Sequence, residues 1–354
     1  MKDKNAGKKV FSKSFGKKFS SFLEEKKYTK HFLLCDDNTH VSCLPVLLSE
    51  IPEMAAASVI KIYDGEEHKN IYAVEYVWEK LTGENADRNA VLINLGGGMV
   101  CDLGGFAAAT FKRGIDFIHV PTTLLSMADA AVGGKQGIDF MNYKNQIGVF
   151  KMPAAIFIHE SFLLTLPEEQ LKSGFAEIIK HALLAGGKFW KEILELPSLK
   201  EINWVNIIEQ SLAAKAAVVE KDPYEKSIRK VLNFGHTIGH AIESFQLSKN
   251  QNTHHGFCIA AGMMGELYLS SLLCGLSLKK RDQALAVIKN IFPPPAIAAD
   301  DFEQILDFMK HDKKNSGGKI QFVLLEGIGE PRIECPVNEI MIMESLRFIS
   351  SSYS

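Results

Sequence analysis

The sequence predicts a chain of two domains: an α/β domain with a mostly parallel sheet, followed by a mainly α-helical domain. In the first half, short apolar runs alternate with helical patterns, which is typical of parallel strands covered by helices. After Thr165-Leu166-Pro167, the apolar residues recur at helical spacing instead. We therefore place a boundary near residue 168 and expect domains at 1–168 and 169–354.

Each predicted element rests on a local pattern. Apolar runs that end at turn residues predict strands in the first domain, at 31–37, 58–65, 90–98, 117–125 and 154–160. Residues 70–83 have helical spacing and end in glycine, so they predict a helix. The same spacing predicts the helices of the second domain, at 170–186, 205–222, 229–245 and 257–275, with short strands near 320–329.

Composition excludes several classes of protein. A net charge of −2 over 354 residues gives no support for nucleic-acid binding. The six cysteines form no C-x-x-C pair, which argues against a disulfide framework and a cysteine zinc site. No apolar run is long enough to span a bilayer, and the lysine-rich first thirty residues lack the apolar core of a signal peptide. We expect a solvated N-terminal segment leading into a strand, and a cytoplasmic protein without a membrane or nucleic-acid partner.

Four polar residues form a stripe in the apolar stretch VLNFGHTIGHAIESF. Arg229, Asn233, His236 and His240 are separated by steps of four, three and four residues. At about 3.6 residues per turn, this spacing predicts that all four lie on one helix face. Burying such a stripe is costly unless something polar faces it. We therefore expect a metal ion and an anionic, hydroxylated substrate there.

Glycines after predicted strands indicate a nucleotide site. Gly96-Gly97-Gly98 follows an apolar strand and leads to Asp102, so backbone amides at a helix start can hold a pyrophosphate. The pattern is not G-x-G-x-x-G, and a purely structural turn explains it too. Glu66, after the second strand, is placed to grip a ribose hydroxyl, although an exposed turn accounts for it equally well.

Metal-ligand residues recur in three apolar helical segments. Glu177, His236, His240 and His255 are the candidates, and zinc commonly takes two histidines and a carboxylate. Each has a plainer explanation: Glu177 can pair internally with Lys180, and His255 can be a cap or a surface group. His236 and His240 can both bind one metal, or one can bind while the other moves protons.

Basic residues in or beside apolar or glycine-rich segments predict an anionic substrate. They are Arg113, Lys135, Lys144, Lys180, Lys215, Arg229 and the pair Lys313-Lys314. Most lysines in a protein are simply solvated. The number of cations near a predicted metal site nevertheless favours a phosphorylated or carboxylated substrate.

Seven segments together resemble the 3-dehydroquinate synthase family of the sugar-phosphate cyclase superfamily. In chain order they are GGGMVCDLGGFAAATFKRGI, PTTLLSMADAAVGGKQGID, KNQIGVFKMP, TLPEEQLKSGFAEIIK, RKVLNFGHTIGHAIE, HGFCIAAGM and DKKNSGGKIQFVLLEGIG, and they cover about two-thirds of the chain. The resemblance implies an N-terminal nucleotide-binding α/β domain, a helical C-terminal domain and a homodimer.

The resemblance also implies residue roles. The zinc ligands fall on Glu177, His236 and His255, with cobalt as an alternative metal. The substrate contacts fall on Asp129, Lys135, Asn145, Lys180, Lys215, Arg229, Asn233 and His240, with one of Lys313 and Lys314. Arg113 corresponds to an arginine offered to the phosphate in the neighbouring subunit. The NAD contacts fall on Glu66, Lys69, Gly97, Gly98, Asp102, Thr122, Thr123, Lys135, Lys144 and Thr165.

The family converts 3-deoxy-D-arabino-heptulosonate 7-phosphate to 3-dehydroquinate and phosphate. The steps are transient NAD-dependent oxidation, phosphate elimination, reduction, ring opening and intramolecular aldol closure. This chain departs from the family pattern at Phe257, Cys258 and His181, none of which is a matched ligand or substrate contact.

Three alternatives remain open at this stage. A sister sugar-phosphate cyclase would share the metal, NAD and fold, but Lys215 and Arg229 favour a substrate that carries a carboxylate. A metal-dependent alcohol dehydrogenase of the glycerol dehydrogenase type would lack the phosphate-site residues. A catalytically silent module would not need the whole set of site residues.

Overall fold

The chain divides into two compact units, Met1–Pro167 and Glu168–Ser354. The structure, a computed structural model, describes residues 8–10, 14–141, 143–196, 198–251, 253–310 and 320–353. Each unit is built around its own kind of layer, a sheet in the first and helices in the second.

A six-stranded sheet in the order β1-β8-β5-β4-β2-β3 forms the core of the first unit. All its described strand pairs are parallel. Its strands are β1 (Lys8–Val10), β2 (His31–Asp36), β3 (Ser58–Ile62), β4 (Val91–Gly96), β5 (Asp116–Pro121) and β8 (Ala155–Phe157). The central strand β4, VLINLG, is buried along its whole length, as a strand covered on both faces must be. The predicted parallel α/β fold is therefore confirmed.

Helices and a separate hairpin complete the first unit. The helices are α1 (Phe15–Lys26), α2 (Asp37–Ser42), α3 (Leu44–Glu50), α4 (Ile71–Gly83) and α5 (Gly98–Thr110). The hairpin pairs β6 (Lys135–Phe140) with β7 (Tyr143–Phe150) in antiparallel fashion. It was not predicted, and it carries three of the candidate site residues.

The prediction of a solvated N-terminal segment is wrong for residues 15–26. Phe15, Phe19, Phe22 and Leu23 recur at helical spacing and are buried in α1. The rings of the first three pack against Phe157 of β8 in tilted or edge-to-face arrangements, with centroids 4.5–6.3 Å apart. The lysines lie between these aromatic positions. The apolar stripe therefore makes this segment an amphipathic helix, and the lysines occupy the face of α1 that is turned to solvent.

The second unit is mainly helical, as predicted. Its helices are α6 (Glu168–Ala185), α7 (Gly187–Leu194), α8 (Trp204–Val219), α9 (His236–Ser248), α10 (His255–Leu273), α11 (Leu278–Ile291), α12 (Phe302–Lys310) and α13 (Glu339–Ser351). The strands expected near 320–329 are present as β9 (Ile320–Gly327), which pairs with β10 (Glu330–Val337).

The prediction of one continuous helix over 229–245 is wrong. A 3₁₀ helix covers Ile228–Asn233, and α9 begins only at His236. Between them, Gly235 adopts φ 82°, a left-handed conformation that suits glycine. The fully buried carboxylate of Glu266 on α10 accepts the N–H groups of Gly235 (2.5 Å) and Thr237 (3.2 Å). These bonds satisfy amides at the new helix start that have no partner within α9.

Small residues allow α9 and α10 to pack very closely. A Cβ atom at Gly262 would lie 2.0 Å from the carbonyl oxygen of Gly235 and 2.7 Å from the nitrogen of Gly239. The prediction that no apolar run is long enough to span a bilayer is wrong for α10, which could cross a membrane by length and composition. However, 72% of its most apolar part is buried inside the protein. That burial is typical of a core helix.

We predict that Gly262→Ala destabilises the second unit. The added methyl group meets backbone atoms, which cannot rotate away as a side chain can, so we expect a loss of roughly 1–3 kcal/mol or more. The measurement is the urea unfolding midpoint followed by circular dichroism. Gly83→Ala, where nothing lies within 4 Å of the added Cβ, is the control and should leave the midpoint unchanged or slightly raised. Equal midpoints for Gly262→Ala and the unsubstituted protein would contradict the packing described.

Candidate functional site

Three ligand-type side chains converge in the second unit. Glu177 comes from the middle of α6, His236 is the first residue of α9, and His255 is the first residue of α10. The Nε2 atoms of both histidines lie 3.6 Å from Oε1 of Glu177. The ring of His240, one turn after His236, lies with its centroid 5.0 Å from that of His236. Ligand atoms of His236, His240 and His255 all lie within 4.8 Å of one another.

The second nitrogen of each ring is already engaged. Nδ1 of His236 lies 3.1 Å from the carbonyl oxygen of Phe234, and Nδ1 of His255 lies 3.1 Å from Oε2 of Glu243. Since both acceptors are oxygens, each Nδ1 carries a hydrogen, and Nε2 is the nitrogen of each ring that faces Glu177. Two imidazole nitrogens and a carboxylate facing one point fit a tetrahedral zinc or cobalt ion with an open position.

Burial and neighbouring charges act differently on the two imidazoles. Burial, reinforced by the positive charge of Lys180, holds the pKa of His236 well below its usual value, so the ring is neutral at pH 7. Burial also lowers the pKa of His255, but hydrogen bonds with Glu177 and Glu243 outweigh it and raise the pKa to about 9. His255 therefore has to release a proton when it ligates a metal.

Lys180 forms an ion pair with Glu177, three residues away on α6. Both side chains are only 2% exposed. The internal pair offered as an alternative explanation of Glu177 is thus present, but it coexists with the two imidazoles on the same carboxylate. An ammonium group buried this deeply needs polar partners, and the Glu177 carboxylate supplies one of them.

A loop built around Asp222 positions Arg229. The Asp222 carboxylate accepts the N–H groups of Lys226 (3.0 Å), Ser227 (2.7 Å) and Arg229 (3.1 Å). Nη1 of Arg229 donates to the carbonyl oxygen of Pro223 at 2.7 Å, and its side chain is almost fully buried. Arg229 is therefore held by the loop and the 3₁₀ helix, not by α9 as predicted.

Two other predicted substrate contacts lie nearby in the fold. Nδ2 of Asn233, the last residue of the 3₁₀ helix, lies 3.2 Å from Oε1 of Glu225. Lys215 is buried on α8, which packs against that 3₁₀ helix. The structure thus groups Lys215, Arg229 and Asn233 on adjoining elements.

In the first unit, Lys69 connects several predicted nucleotide and substrate contacts. Its Nζ atom lies 2.7 Å from Oδ2 of Asp102, 2.8 Å from Oδ1 of Asn145 and 3.5 Å from Oε1 of Glu66. Burial lowers the pKa of Lys69, but the charges of Asp102 and Glu66 outweigh it and raise the pKa above its ordinary value. Lys69 therefore stays charged, and it joins the hairpin to the first turns of α5.

The glycine turn lies between the end of β4 and the start of α5. Gly97 immediately precedes α5, and Gly96 pairs in register with Pro121 at the end of β5. Thr122 donates its N–H to the Gly96 carbonyl at 3.0 Å, and a Cβ at Gly97 would lie 3.1 Å from the methyl of Thr123. The two strand ends thus bring Gly97, Gly98, Thr122 and Thr123 together beside a helix N-terminus, the usual place for a pyrophosphate.

The remaining predicted residues of the first unit occupy other elements. Lys135 and Lys144 are exposed on the hairpin strands, and Asp129 is half-buried in a π-helical turn, Ser126–Ala130. Arg113 is exposed, with φ 67°. Thr165 is exposed, and its hydroxyl donates to the Phe162 carbonyl at 3.4 Å. Lys313 and Lys314 lie outside the described residues.

Three carboxylates at the site were missed by the sequence interpretation. Asp222, Glu243 and Glu266 bind backbone amides or an imidazole and are all buried. Glu243 had a sequence signal, because it continues the stripe three residues after His240. Asp222 and Glu266 had none, since their partners are amides whose positions depend on the tertiary structure.

Comparisons with solved structures show the fold, and comparisons with known sequences show the family. A solved 2-deoxy-scyllo-inosose synthase, complexed with carbaglucose-6-phosphate, NAD+ and Co2+, matches with a TM-score of 0.84 at 24% identity over 96% of both chains. A 2-epi-5-epi-valiolone synthase from Streptomyces hygroscopicus, with NAD+ and Zn2+ bound, matches with a TM-score of 0.83 at 20% identity over 98% of this chain and 97% of that one. The fold is thus that of the sugar-phosphate cyclases.

Sequence matches narrow this class further. The family model for the N-terminal part of 3-dehydroquinate synthase matches residues 59–173, and that for the C-terminal part matches 174–315. A 3-dehydroquinate synthase from Parabacteroides distasonis is 42% identical over 348 residues, 98% of each chain. The chain belongs to the 3-dehydroquinate synthase family. The resemblance found in the motifs is confirmed, and the matches support this enzymatic activity, which belongs to the shikimate pathway.

We predict that the Asp222 loop stabilises the fold in a pH-dependent way. Burial raises the pKa of Asp222, but the hydrogen bonds from Lys226, Ser227 and Arg229 outweigh it and lower the pKa from 3.8 to about 2. Because the folded pKa lies below the unfolded one, the stabilisation is complete above pH 3.8 and is lost as the pH falls towards 2. Asp222→Asn should therefore be less stable than the unsubstituted protein at pH 7, with the difference shrinking through this window.

The measurement is the urea midpoint of both proteins at a series of pH values. Asp300→Asn, which removes an exposed carboxylate of the same unit, controls for the loss of one charge. A difference between Asp222→Asn and the unsubstituted protein that stays constant down to pH 2 would contradict the prediction.

Proposed function

We propose that this chain converts 3-deoxy-D-arabino-heptulosonate 7-phosphate to 3-dehydroquinate and phosphate, using NAD catalytically and a divalent metal ion. The observation that carries the proposal is the convergence of Glu177, His236 and His255 in a unit that also buries Lys180, Lys215 and Arg229. Solved proteins of the same fold with NAD+ and Co2+ or Zn2+ support the choice of cofactors.

Glu177, His236 and His255 would hold the metal, preferably zinc. When bound, the metal would lower the pKa of a substrate hydroxyl and polarise the ketone formed from it. His240 does not belong to this ligand set in the proposal. The His240 ring lies beside those of His236 and His255, with centroids 5.0 Å and 5.7 Å away. There it would accept the proton of the hydroxyl group on C5 of the substrate.

The buried cations of the second unit would bind the polar groups of the substrate. Arg229 has a planar guanidinium that can hold a carboxylate through two hydrogen bonds, and Lys215 adds a second positive charge. Lys180 and Asn233 would position hydroxyl groups. These cations favour a substrate with a carboxylate over a sugar phosphate without one, such as glucose 6-phosphate or sedoheptulose 7-phosphate.

The first unit would provide the nucleotide and phosphate contacts. Gly97, Gly98, Thr122 and Thr123 would hold the pyrophosphate at the start of α5. The other proposed NAD contacts are Glu66, Lys69, Asp102, Lys135, Lys144 and Thr165. NAD, when bound, would supply a reversible hydride acceptor. The substrate phosphate would be held by Lys135, Asn145 and Arg113, with Asp129 as a further contact. One of Lys313 and Lys314, which belong to the second unit, would also reach the substrate.

We expect a homodimer in which Arg113 reaches the phosphate in the neighbouring subunit. We also expect a cytosolic location, as for other biosynthetic enzymes of this family. The domain roles follow: 1–168 would bind NAD, and 169–354 would bind the metal and most of the substrate.

The first test is phosphate release from 3-deoxy-D-arabino-heptulosonate 7-phosphate with zinc and sub-stoichiometric NAD. Many turnovers per NAD without net NADH, together with identified dehydroquinate, are the expected result. Phosphate release only from glucose 6-phosphate or sedoheptulose 7-phosphate would assign a sister cyclase instead. NADH that accumulates with an alcohol substrate would assign a dehydrogenase.

We predict that His236→Ala loses zinc binding and activity together. The substitution removes one of three converging ligands, and Ala at the start of α9 leaves the Glu266 cap intact. Zinc content by elemental analysis and phosphate release are the measurements. A His236→Ala protein that still binds zinc and turns over would show that the ligand set is wrong.

We predict that two inactive variants complement each other if Arg113 acts across a dimer. After mixing and subunit exchange, an Arg113→Ala subunit retains its metal ligands and can receive Arg113 from a His236→Ala partner. Random pairing should then restore roughly a quarter of the wild-type activity. Exchange without any gain in phosphate release would place Arg113 in its own subunit's site or outside the site.

A further inference from the structure

The buried carboxylate of Glu243 contacts His255 from the side opposite to Glu177. Glu243 lies on α9, seven residues after His236, and its side chain is only 8% exposed. Its Oε2 atom lies 3.1 Å from Nδ1 of His255, whereas Oε1 of Glu177 lies 3.6 Å from Nε2 of the same ring. The imidazole of His255 is thus held between two carboxylates.

The geometry separates the tasks of these two carboxylates. The two nitrogens of an imidazole lie on different edges of the ring, so a hydrogen bond at Nδ1 determines where Nε2 points. Glu243 accepts the Nδ1 hydrogen and therefore does not compete for the position that Nε2 faces. A carboxylate on the second nitrogen also makes the ring a more basic ligand.

His255 needs such support more than His236 does. His236 lies next to the Phe234 carbonyl in the same chain segment, and its side chain is 12% exposed. The His255 side chain is 29% exposed and stands at the first residue of α10. Its Nδ1 partner comes from a different helix, so α9 supplies both a ligand and the anchor for the ligand on α10.

We propose that Glu243 is a positioning residue of the metal centre, acting through His255 and not as a ligand itself. This inference rests on the proposed function, because it assumes that His255 ligates the metal. It adds to that function a dependence of metal affinity on a residue outside the ligand set.

The test compares zinc affinity in four variants of the full-length protein. Glu243→Leu and Glu243→Ala remove the acceptor, and each should weaken zinc binding roughly 10–100-fold. Glu243→Gln keeps an amide oxygen that can accept from Nδ1 and should restore most of the affinity. The control is Gln246→Leu, one turn further along α9, which removes a buried polar contact to Cys258 on α10 instead of one to His255. It should bind zinc like the unsubstituted protein.

The measurements are the zinc dissociation constant by competition with a chelator and the visible absorption of the cobalt-loaded protein. His255→Ala is measured in parallel, which separates the two possible failures. If His255→Ala weakens binding but Glu243→Leu and Glu243→Ala do not, Glu243 has no positioning role and the ligand set stands. If His255→Ala binds zinc with unchanged affinity, the ligand set is wrong and the inference is wrong with it. If Gln246→Leu weakens zinc binding as much as Glu243→Leu, the effect comes from general packing and the inference is also overturned.

Discussion

The close approach of α9 to α10 is the constraint on which the arrangement of Glu177, His236 and His255, the candidate metal centre, depends. At Gly262 on α10 there is no room for a side chain against the backbone of Gly235. The Glu266 carboxylate, also on α10, accepts the N–H groups of Gly235 and Thr237 at the start of α9. This contact ends the 3₁₀ helix and makes His236 the first residue of α9. The same contact brings His255, at the start of α10, towards the Glu177 carboxylate on α6, which His236 also faces. A methyl group at the crossing would therefore disturb both the packing and the spacing of the ligands.

The second unit compensates the negative charge of its buried carboxylates with polar partners. Glu177 faces Lys180 and two imidazoles, Asp222 accepts three backbone N–H groups, and Glu266 accepts two. Each carboxylate would be costly to bury alone, and each is retained because polar groups converge on it. The carboxylates with backbone partners hold loops and helix starts in place. Of these three carboxylates, Glu177 is the one that faces imidazole nitrogens able to coordinate a metal.

The same fold supports different reactions in its relatives, so the fold alone does not define the substrate. Cyclases that share only 20–24% identity with this chain superpose on it with TM-scores above 0.8. The substrate therefore depends on the side chains placed on the common framework. In this chain the buried guanidinium of Arg229 is held in a loop organised by Asp222.

Local patterns in the sequence were sufficient for β2, β3, β4, β5, β8 and β9, for α4, α6, α8 and α10, and for naming the candidate ligands Glu177, His236, His240 and His255. The alternation of apolar runs predicted the parallel sheet, and ligand-type residues in three apolar segments predicted a metal site, since residue type and spacing are properties of the chain itself. The family resemblance, and not these patterns, selected Glu177, His236 and His255 from the candidates. The tertiary structure decided what depends on distant partners. It broke the stripe at Gly235 because Glu266 and Gly262 come from another helix, and it turned the lysine-rich N-terminal segment into α1 because Phe157 offers an aromatic surface. It also joined Lys69, Asp102 and Asn145, whose separation along the chain leaves no periodic signal. A period along the sequence records which face of an element is apolar, whereas the position where an element ends depends on which groups elsewhere in the fold can satisfy its backbone.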